Sequence, residues 1–130
     1  MDAFIVELEN RPGMLAGLTE AIAARGINIE AVAAATSPDR GSVALLTSDA
    51  GATSSVLDES GVTYRTCGVV RISLEHRPGS LAAAARRLAD AGVNIEALLP
   101  TGMQDGSVTL ALAVDDAEAA RSVLGELAAG

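Results

Sequence analysis

Two copies of one five-residue pattern decide how this sequence folds: Glu9-Asn10-Arg11-Pro12-Gly13 and, 66 residues later (75 − 9), Glu75-His76-Arg77-Pro78-Gly79. A second pattern, Gly26-Ile27-Asn28-Ile29-Glu30, returns at the same spacing as Gly92-Val93-Asn94-Ile95-Glu96. A fixed internal period indicates one supersecondary unit that is used twice. The sequence therefore predicts a tandem repeat, with repeat 1 at residues 1–67 and repeat 2 at residues 68–130.

The first half of repeat 1 has the pattern of a strand followed by a helix. The period of a half-buried strand puts one set of residues 4–9 on each face: Phe4, Val6 and Leu8 alternate with Ile5, Glu7 and Glu9. Pro12 and Gly13 cannot continue that strand and predict a sharp turn. Apolar residues then recur at helical spacing from Leu15, and Gly26 is typical of the residue that ends a helix.

The second half of repeat 1 predicts a hairpin, a helix and a last strand. Residues 29–35 and 43–47 have strand patterns, and residues 37–41 between them are turn residues. A short helix is predicted over residues 53–59, and a final strand over residues 62–67. The element order is strand, helix, strand, strand, helix, strand.

Repeat 2 follows the same order, with a hairpin connection that is one residue shorter. Its strands are predicted at residues 70–75, 95–99 and 108–114, and Asp115 and Asp116 open its last helix. Gly130 then aligns with Thr63 of the first repeat. We therefore expect the second unit to lack its fourth strand.

Composition excludes several classes of function. The 130 residues carry a net charge of −8, every cation is an arginine, and only Phe4 and Tyr64 are aromatic. Nucleic-acid binding uses basic grooves and stacking platforms, so it is not expected. No membrane span or signal peptide is predicted, and a single cysteine, Cys67, suits a reducing compartment. These features predict a cytoplasmic protein with no membrane partner.

Both repeats resemble ACT domains, the small ligand-binding modules attached to many enzymes of amino-acid metabolism. The resemblance is carried by the Arg-Pro-Gly turn after the first strand and by the Gly-(Ile/Val)-Asn-Ile pattern that opens the second. It implies an α+β fold of two ferredoxin-like units in tandem, each with an antiparallel sheet in the order 4-1-3-2 and its helices on one face. With no catalytic domain in the sequence, the chain resembles a stand-alone tandem ACT protein.

A binding site is predicted where the first helix of each repeat begins. The amides of Met14 and Leu15 have no partner within their helix and lie at its positive end, which favours a small carboxylate. The resemblance adds the residue before each Arg-Pro-Gly turn and the Asn of each second pattern, and it implies a site at the interface between adjacent units. The candidate ligand-binding residues are Asn10, Arg11, Pro12, Gly13, Met14, Leu15, Asn28, His76, Arg77, Pro78, Gly79, Ser80, Leu81 and Asn94.

Each candidate also has a purely structural interpretation. The glycines can serve the backbone turns, and Asn28 and Asn94 can bond their own backbone. His76 differs from Asn10 at the matched position, so the second site is altered or lost. Arg11 and Arg77 suit solvated positions. Cys67 suits a small buried apolar residue.

The sequence favours a non-catalytic regulatory protein that binds an amino acid or similar zwitterion. One His, one Cys and no Lys provide no metal cluster and no Schiff-base chemistry, so no catalytic residue, metal or cofactor is expected. The main alternative is a dimerisation scaffold with no functional pocket, and a small enzyme that uses backbone amides and carboxylates is a weaker one. A partner enzyme of amino-acid metabolism is possible on the resemblance.

A homodimer is also expected. Without a fourth strand in repeat 2, residues 70–75 would form an open sheet edge, which invites pairing with another chain. The outer sheet face of repeat 1 is predicted to expose Ile5, Ala44 and Leu46. Exchange of strands between two chains at a hinge around Gly68 is a further way to form the dimer.

Overall fold

The computed structural model of the protein describes residues 1–128, and this part of the chain contains six β-strands, four α-helices and a short 3-10 helix. The chain divides into two compact units, one of Ala3–Thr66 and one of the residues from Cys67 onward together with Met1 and Asp2. The elements of the first unit are β1 (Asp2–Glu9), α1 (Met14–Ala23), β2 (Ile29–Thr36), β3 (Arg40–Thr47), α2 (Ala50–Ser60) and the start of β4 (Thr63–Glu75).

The sheet of the first unit is antiparallel and has the strand order β2-β3-β1-β4. Strands β1 and β3 lie at its centre, so that Phe4 pairs with Leu45 and Glu9 pairs with Arg40. This is the order 4-1-3-2 that the resemblance to ACT domains implies. Because β2 comes last in that order, it has one partner strand in the part of the chain that the structure describes.

The core of the first unit lies between this sheet and helices α1 and α2. Its fully buried members include Phe4, Leu45, Ile22 and Leu57. Burying a side chain of this size contributes about 1.5 to 3 kcal/mol to folding. The ring of Tyr64 packs on that of Phe4, with 6.1 Å between ring centroids. Leu18 and Ile22 are buried as the helical spacing predicts, which places α1 across the sheet.

The second unit repeats this arrangement with the strand order β4-β6-β5. Its core lies between that sheet and two helices, and its buried members include Ile72, Leu88, Leu112 and Leu124. Its remaining elements are α3 (Ser80–Asp90), β5 (Ile95–Gln104), β6 (Ser107–Val114), α4 (Ala117–Leu124) and a 3-10 helix (Gly125–Leu127).

The end of the described chain lies on β4. Ala128 forms an isolated antiparallel bridge with Ile72, and the amide of Val69 donates to the carbonyl oxygen of Met1. The strand from 70 to 75 is therefore paired with β6 on one side and is partly occupied on the other. A full fourth strand of the second unit is not present in residues 1–128; the last two residues lie outside the described part.

Two expectations about the sheets are wrong. Gly68 was expected to separate two strands, but it lies inside β4, which runs unbroken from Thr63 to Glu75. Ile5, Ala44 and Leu46 were expected to be exposed, and their exposed fractions are 6%, 5% and 2%. The expectation assumed one covered sheet face. Consecutive residues of β1 and β3 are instead buried, as in strands that are covered on both faces.

The two hairpins differ as the sequence predicts. The first connects β2 and β3 through three residues, 37–39, and the second connects β5 and β6 through two, Asp105 and Gly106. Both loop residues of the second hairpin have positive φ, 49° and 77°, which is the geometry of a tight Asp-Gly turn. Strand β5 has 10 residues where β2 has 8. A bulge between Pro100 and Gly102 takes up one of the two extra residues, and the shorter loop offsets the other.

Candidate functional site

Helices α1 and α3 begin at the two Arg-Pro-Gly turns in the same way. Gly13 and Gly79 take left-handed φ angles of 91° and 90°, which a residue with a Cβ atom adopts only with strain. In α1 the first helical hydrogen bond is donated by the amide of Gly17 to the carbonyl oxygen of Gly13, four residues earlier, at 2.9 Å. Of the amides that precede Gly17, that of Met14 donates to the carbonyl oxygen of Arg11 at 3.4 Å, whereas those of Leu15 and Ala16 have no partner four residues back.

Side-chain caps distinguish these two helices from the other two. Neither α1 nor α3 has a side chain that caps its first turn. At α2 the carboxylate of Asp49 accepts from the amide of Ala52 at 3.0 Å, and at α4 Asp116 accepts from Ala119 at 3.0 Å. The helices that follow the Arg-Pro-Gly turns are thus the ones that keep amides available for an external carboxylate.

Asn10 is held against the hairpin of its own unit. Its Nδ2 atom donates to the carbonyl oxygens of Ser37 and Pro38, at 3.2 and 3.4 Å, and its amide donates to the carbonyl oxygen of Asp39 at 3.2 Å. The side-chain Oδ1 atom, an acceptor, remains for a ligand ammonium group. Asn10 therefore has a structural role, and the same orientation leaves it suited to a binding role.

His76 shares the backbone contact of Asn10. Its amide donates to the carbonyl oxygen of Gly106 at 2.8 Å, as Asn10 donates to Asp39. Its imidazole is exposed. The position is therefore matched between the units by the backbone, while the side chain differs in chemistry.

The arginines of the two turns pair with the glutamate two residues before them. Arg11 Nε lies 2.7 Å from Glu9 Oε2, and Arg77 Nε lies 2.5 Å from Glu75 Oε2. All four side chains are exposed, so these pairs contribute little to stability. Because each guanidinium already has a carboxylate partner, the net charge at each turn is close to neutral.

Asn28 and Asn94 lie at the other end of their sheets. The amide of Asn28 donates to Ser48 Oγ at 2.9 Å, and the amide of Asn94 donates to Asp115 Oδ1 at 2.9 Å. Asn94 also donates from Nδ2 to Glu96 Oε1 at 3.1 Å. The local, structural interpretation is therefore supported for Asn94.

Neither unit alone brings its two sequence patterns together. Asn10 contacts the residue before β3, and Asn28 contacts the residue after it. The eight residues of β3 span roughly 25 Å at the usual rise of a strand. His76 and Asn94 are separated in the same way along β6. A small zwitterion bound to one unit can reach only one of its two patterns.

A groove of about 110 Å³ lies beside the first turn. Of the predicted residues, Asn10, Arg11, Met14 and Leu15 line it. Its other lining residues come mainly from the hairpin and include Ala34, Ala35, Thr36, Gly41, Ser42 and Val43. The sequence motifs do not indicate these hairpin residues. The predicted pairing of the first strand with the third was the signal that could have identified them.

A larger open cavity of about 470 Å³ lies nearby but has unsuitable charge for an anion. Its lining includes Glu7, Glu9, Asp39 and Arg40, and Arg40 already pairs with Glu7 at 3.3 Å. Because Glu9 pairs with Arg11 and Glu7 pairs with Arg40, the carboxylate of Asp39 gives this cavity a net negative charge, which repels a ligand carboxylate. We therefore take the smaller groove as the candidate site.

Two further kinds of feature are absent from residues 1–128. This part of the chain has no group of three or more His, Cys, Asp or Glu side chains that could hold a metal ion. Among its helices, none is long and apolar enough to cross a membrane.

Comparisons with known proteins identify a domain and a shared fold. Residues 3–59 match the family model of the ACT domain. The crystal structure of protein BT0572 from Bacteroides thetaiotaomicron is 26% identical with a TM-score of 0.76, over 96% of this chain and 86% of that one. A comparison with curated protein sequences finds no match.

Aspartate kinase structures have the same fold at lower identity. The regulatory subunit of aspartate kinase from Thermus thermophilus, in a ligand-free form, is 19% identical with a TM-score of 0.67, over 97% of this chain and 90% of that one. Aspartate kinase from Synechocystis is 21% identical with a TM-score of 0.66, over 96% of this chain and 25% of that one. Residues 3–59 are therefore similar to an ACT domain, and the chain has a fold that is also found in regulatory subunits of aspartate kinase.

Proposed function

We propose that the protein is a non-catalytic regulatory protein that binds an amino acid, or a similar small zwitterion, at the Arg-Pro-Gly turn of the first unit. The observation that carries this proposal is the contrast between the helix starts: α1 and α3 lack a side-chain cap, whereas Asp49 and Asp116 cap α2 and α4. A carboxylate at such a helix start is stabilised by about 0.3 to 2 kcal/mol, according to its burial.

The ammonium group of a zwitterion also has a hydrogen-bond partner at this turn. Asn10 Oδ1 can accept from the ammonium group, because Nδ2 is occupied by the hairpin carbonyls. The match of residues 3–59 to the ACT domain supports a ligand-binding role, and the fold shared with aspartate kinase regulatory subunits supports an enzyme of amino-acid metabolism as partner. We place the protein in the cytoplasm because a chain with a single cysteine, Cys67, suits a reducing compartment.

Calorimetry and thermal unfolding against the set of amino acids test this function. A ligand at a hundredfold excess over its Kd stabilises the folded state by about 2.7 kcal/mol. For a chain of this length, that is a rise in Tm on the order of 10 °C. The variant Asp49→Ala serves as a control, because it should lower Tm and leave the ligand-induced rise unchanged. Absence of any response in both measurements would reject the binding function.

We also propose that the protein is a homodimer that pairs through β2. This strand is an edge of its sheet, it contains neither Pro nor Lys, and its exposed side chains are mostly small. Strand β5, the other edge, carries Pro100 and two bulges, which disrupt pairing. Of the two edge strands, β2 is therefore the better suited to pair with a second copy of the chain.

Antiparallel pairing of β2 with its copy would complete the binding site. The Thr36 end of one β2, which lines the groove, would lie beside the Ile29 end of the other. Asn28 precedes Ile29, so the partner copy would supply the second sequence pattern that a single unit keeps roughly 25 Å away. A dimer of this kind without a functional ligand pocket is the second candidate function, and the structural bonds of Asn10 are the observation that favours it.

A further inference from the structure

We propose, on the basis of the binding function given above, that the ligand of the first unit is an amino acid with a short aliphatic side chain, such as valine, leucine or isoleucine. The groove beside the turn is lined by six apolar residues: Leu8, Met14, Leu15, Ala34, Ala35 and Val43. An apolar lining of this kind favours a ligand with an aliphatic side chain.

Leu15 supports the same conclusion. It lies in the first turn of α1, directly after the left-handed Gly13, and 45% of its surface is exposed. The sequence pattern groups it with Leu18 and Ile22, yet those two are buried in the core and Leu15 is not. A ligand whose carboxylate meets the first amides of α1 would place its side chain within reach of this exposed leucine.

The charged residues of the groove do not favour a charged ligand side chain. Glu9 and Arg11 line the groove and pair with one another at 2.7 Å. Neither charge is therefore left to pair with a lysine, aspartate or glutamate ligand, and the lining contains no other ionisable side chain.

The small volume of the groove favours a short side chain. A protein cavity of about 150 Å³ is known to hold benzene, whereas this groove measures about 110 Å³. Phenylalanine, tyrosine and tryptophan side chains are at least as large as benzene. Valine and leucine side chains are smaller.

The second unit does not have the same lining. Ser80 stands where the first unit has Met14, and Pro100 and Thr101 stand where it has Ala34 and Ala35. These substitutions make the matched surface more polar. The aliphatic specificity is therefore assigned to the first unit alone.

Isothermal titration of the full chain with matched amino acids tests this specificity. Valine and threonine have the same shape, and we expect valine to bind about ten-fold more tightly because the hydroxyl loses its water on burial. Along the series alanine, 2-aminobutyrate and norvaline, each added methylene should strengthen binding about four-fold. Lysine and phenylalanine should bind more weakly than valine.

Variants locate the effect at the groove. Leu15→Ala should weaken leucine binding several-fold while changing alanine binding little, and its fold should be preserved because Leu15 is half exposed. Met103→Ala, at an exposed methionine of the second unit, should change neither. If serine, threonine, lysine or phenylalanine binds as tightly as valine, the aliphatic specificity is wrong although the binding function stands. If no amino acid binds, the binding function fails and the specificity with it.

Discussion

The Nδ2 atom of Asn10 lies 3.2 Å from the carbonyl oxygen of Ser37, so the turn after β1 is bonded to the hairpin between β2 and β3. This contact joins the two segments that form the groove. Its loss should therefore affect both folding and the shape of the candidate site.

Replacing Asn10 by alanine should lower the free energy of unfolding by about 0.5 to 1 kcal/mol, the lower part of the range for a net hydrogen bond, because the contact is exposed. The matched variant His76→Ala should change it by less. Urea unfolding of the two variants measures the difference. Equal losses at both positions would contradict a structural role of the Asn10 side chain.

Tyr64 should titrate at unusually high pH. Its hydroxyl donates to Asp58 Oδ1 at 2.7 Å, and this bond, together with desolvation, raises the pKa of Tyr64 above the ordinary value of 10.0. Because the folded-state pKa is raised, the associated stability is present below pH 10 and is lost as pH rises through the folded-state pKa. The chain has one Tyr and no Trp, so ultraviolet absorbance follows this group alone.

The variant Asp58→Ala should return the pKa of Tyr64 towards 10. The variant Asp90→Ala, which removes an exposed carboxylate of the second unit, should leave that titration unchanged. An unchanged titration in Asp58→Ala would show that the hydrogen bond is not the cause of the raised pKa.

Gly68 should not tolerate a side chain, although it lies in a strand. A Cβ atom at this position would lie 3.0 Å from the Cβ atom of Ala117 at the start of α4. We expect Gly68→Ala to lower the free energy of unfolding by about 1 to 3 kcal/mol through overpacking. Thermal unfolding would register this as a decrease in Tm of several degrees.

Removing the opposing methyl group should partly restore stability. The double variant Gly68→Ala with Ala117→Gly should be more stable than the sum of the two single effects predicts, because the clash is then absent. Additive losses would show that Gly68 is required for another reason, such as its backbone conformation.

The proposed dimer should dissociate when its edge strand is charged. Val32 lies in β2 and is 48% exposed. A lysine at this position would oppose pairing with a second β2, as lysines on the edge strands of natural sheets do. Sedimentation equilibrium should show a dimer for the unmodified chain and a monomer for Val32→Lys. Met103→Lys, which adds the same charge away from β2, should remain dimeric. A monomeric unmodified chain would reject the dimer.

Most of the fold could be predicted from local patterns. Pro12 and Gly13 end a strand and start a helix through their own backbone chemistry, and the helix stops predicted at Gly26 and Gly92 are confirmed. The start of α2 was missed by three residues, because Asp49 was not recognised as its cap. The continuity of β4 through Gly68 was missed because a glycine between two strand patterns is typical of a strand end. In this structure Gly68 instead leaves space for the side chain of Ala117.

The candidate site was only half predictable. The residues of the turn are adjacent in sequence, so a single motif indicates them. Ala34, Ala35 and Val43 reach the groove through strand pairing, and their small apolar side chains carry no chemical signal of their own. The separation of Asn10 from Asn28 depends on the length and direction of β3, which no short motif records.

The bulge in β5 lies where the two units of the chain differ in length. One extra residue of β5 is taken up between Pro100 and Gly102, and the hairpin loop of that unit is one residue shorter. Gly102 lacks the Cβ atom that would approach Thr109 Oγ1 to 3.3 Å. Since β5 pairs on one side only, its insertion disturbs a single ladder, and both ends of β6 keep their partners. An outermost strand, which pairs on one side only, can therefore gain or lose residues without changing the pairing of the strands inside the sheet.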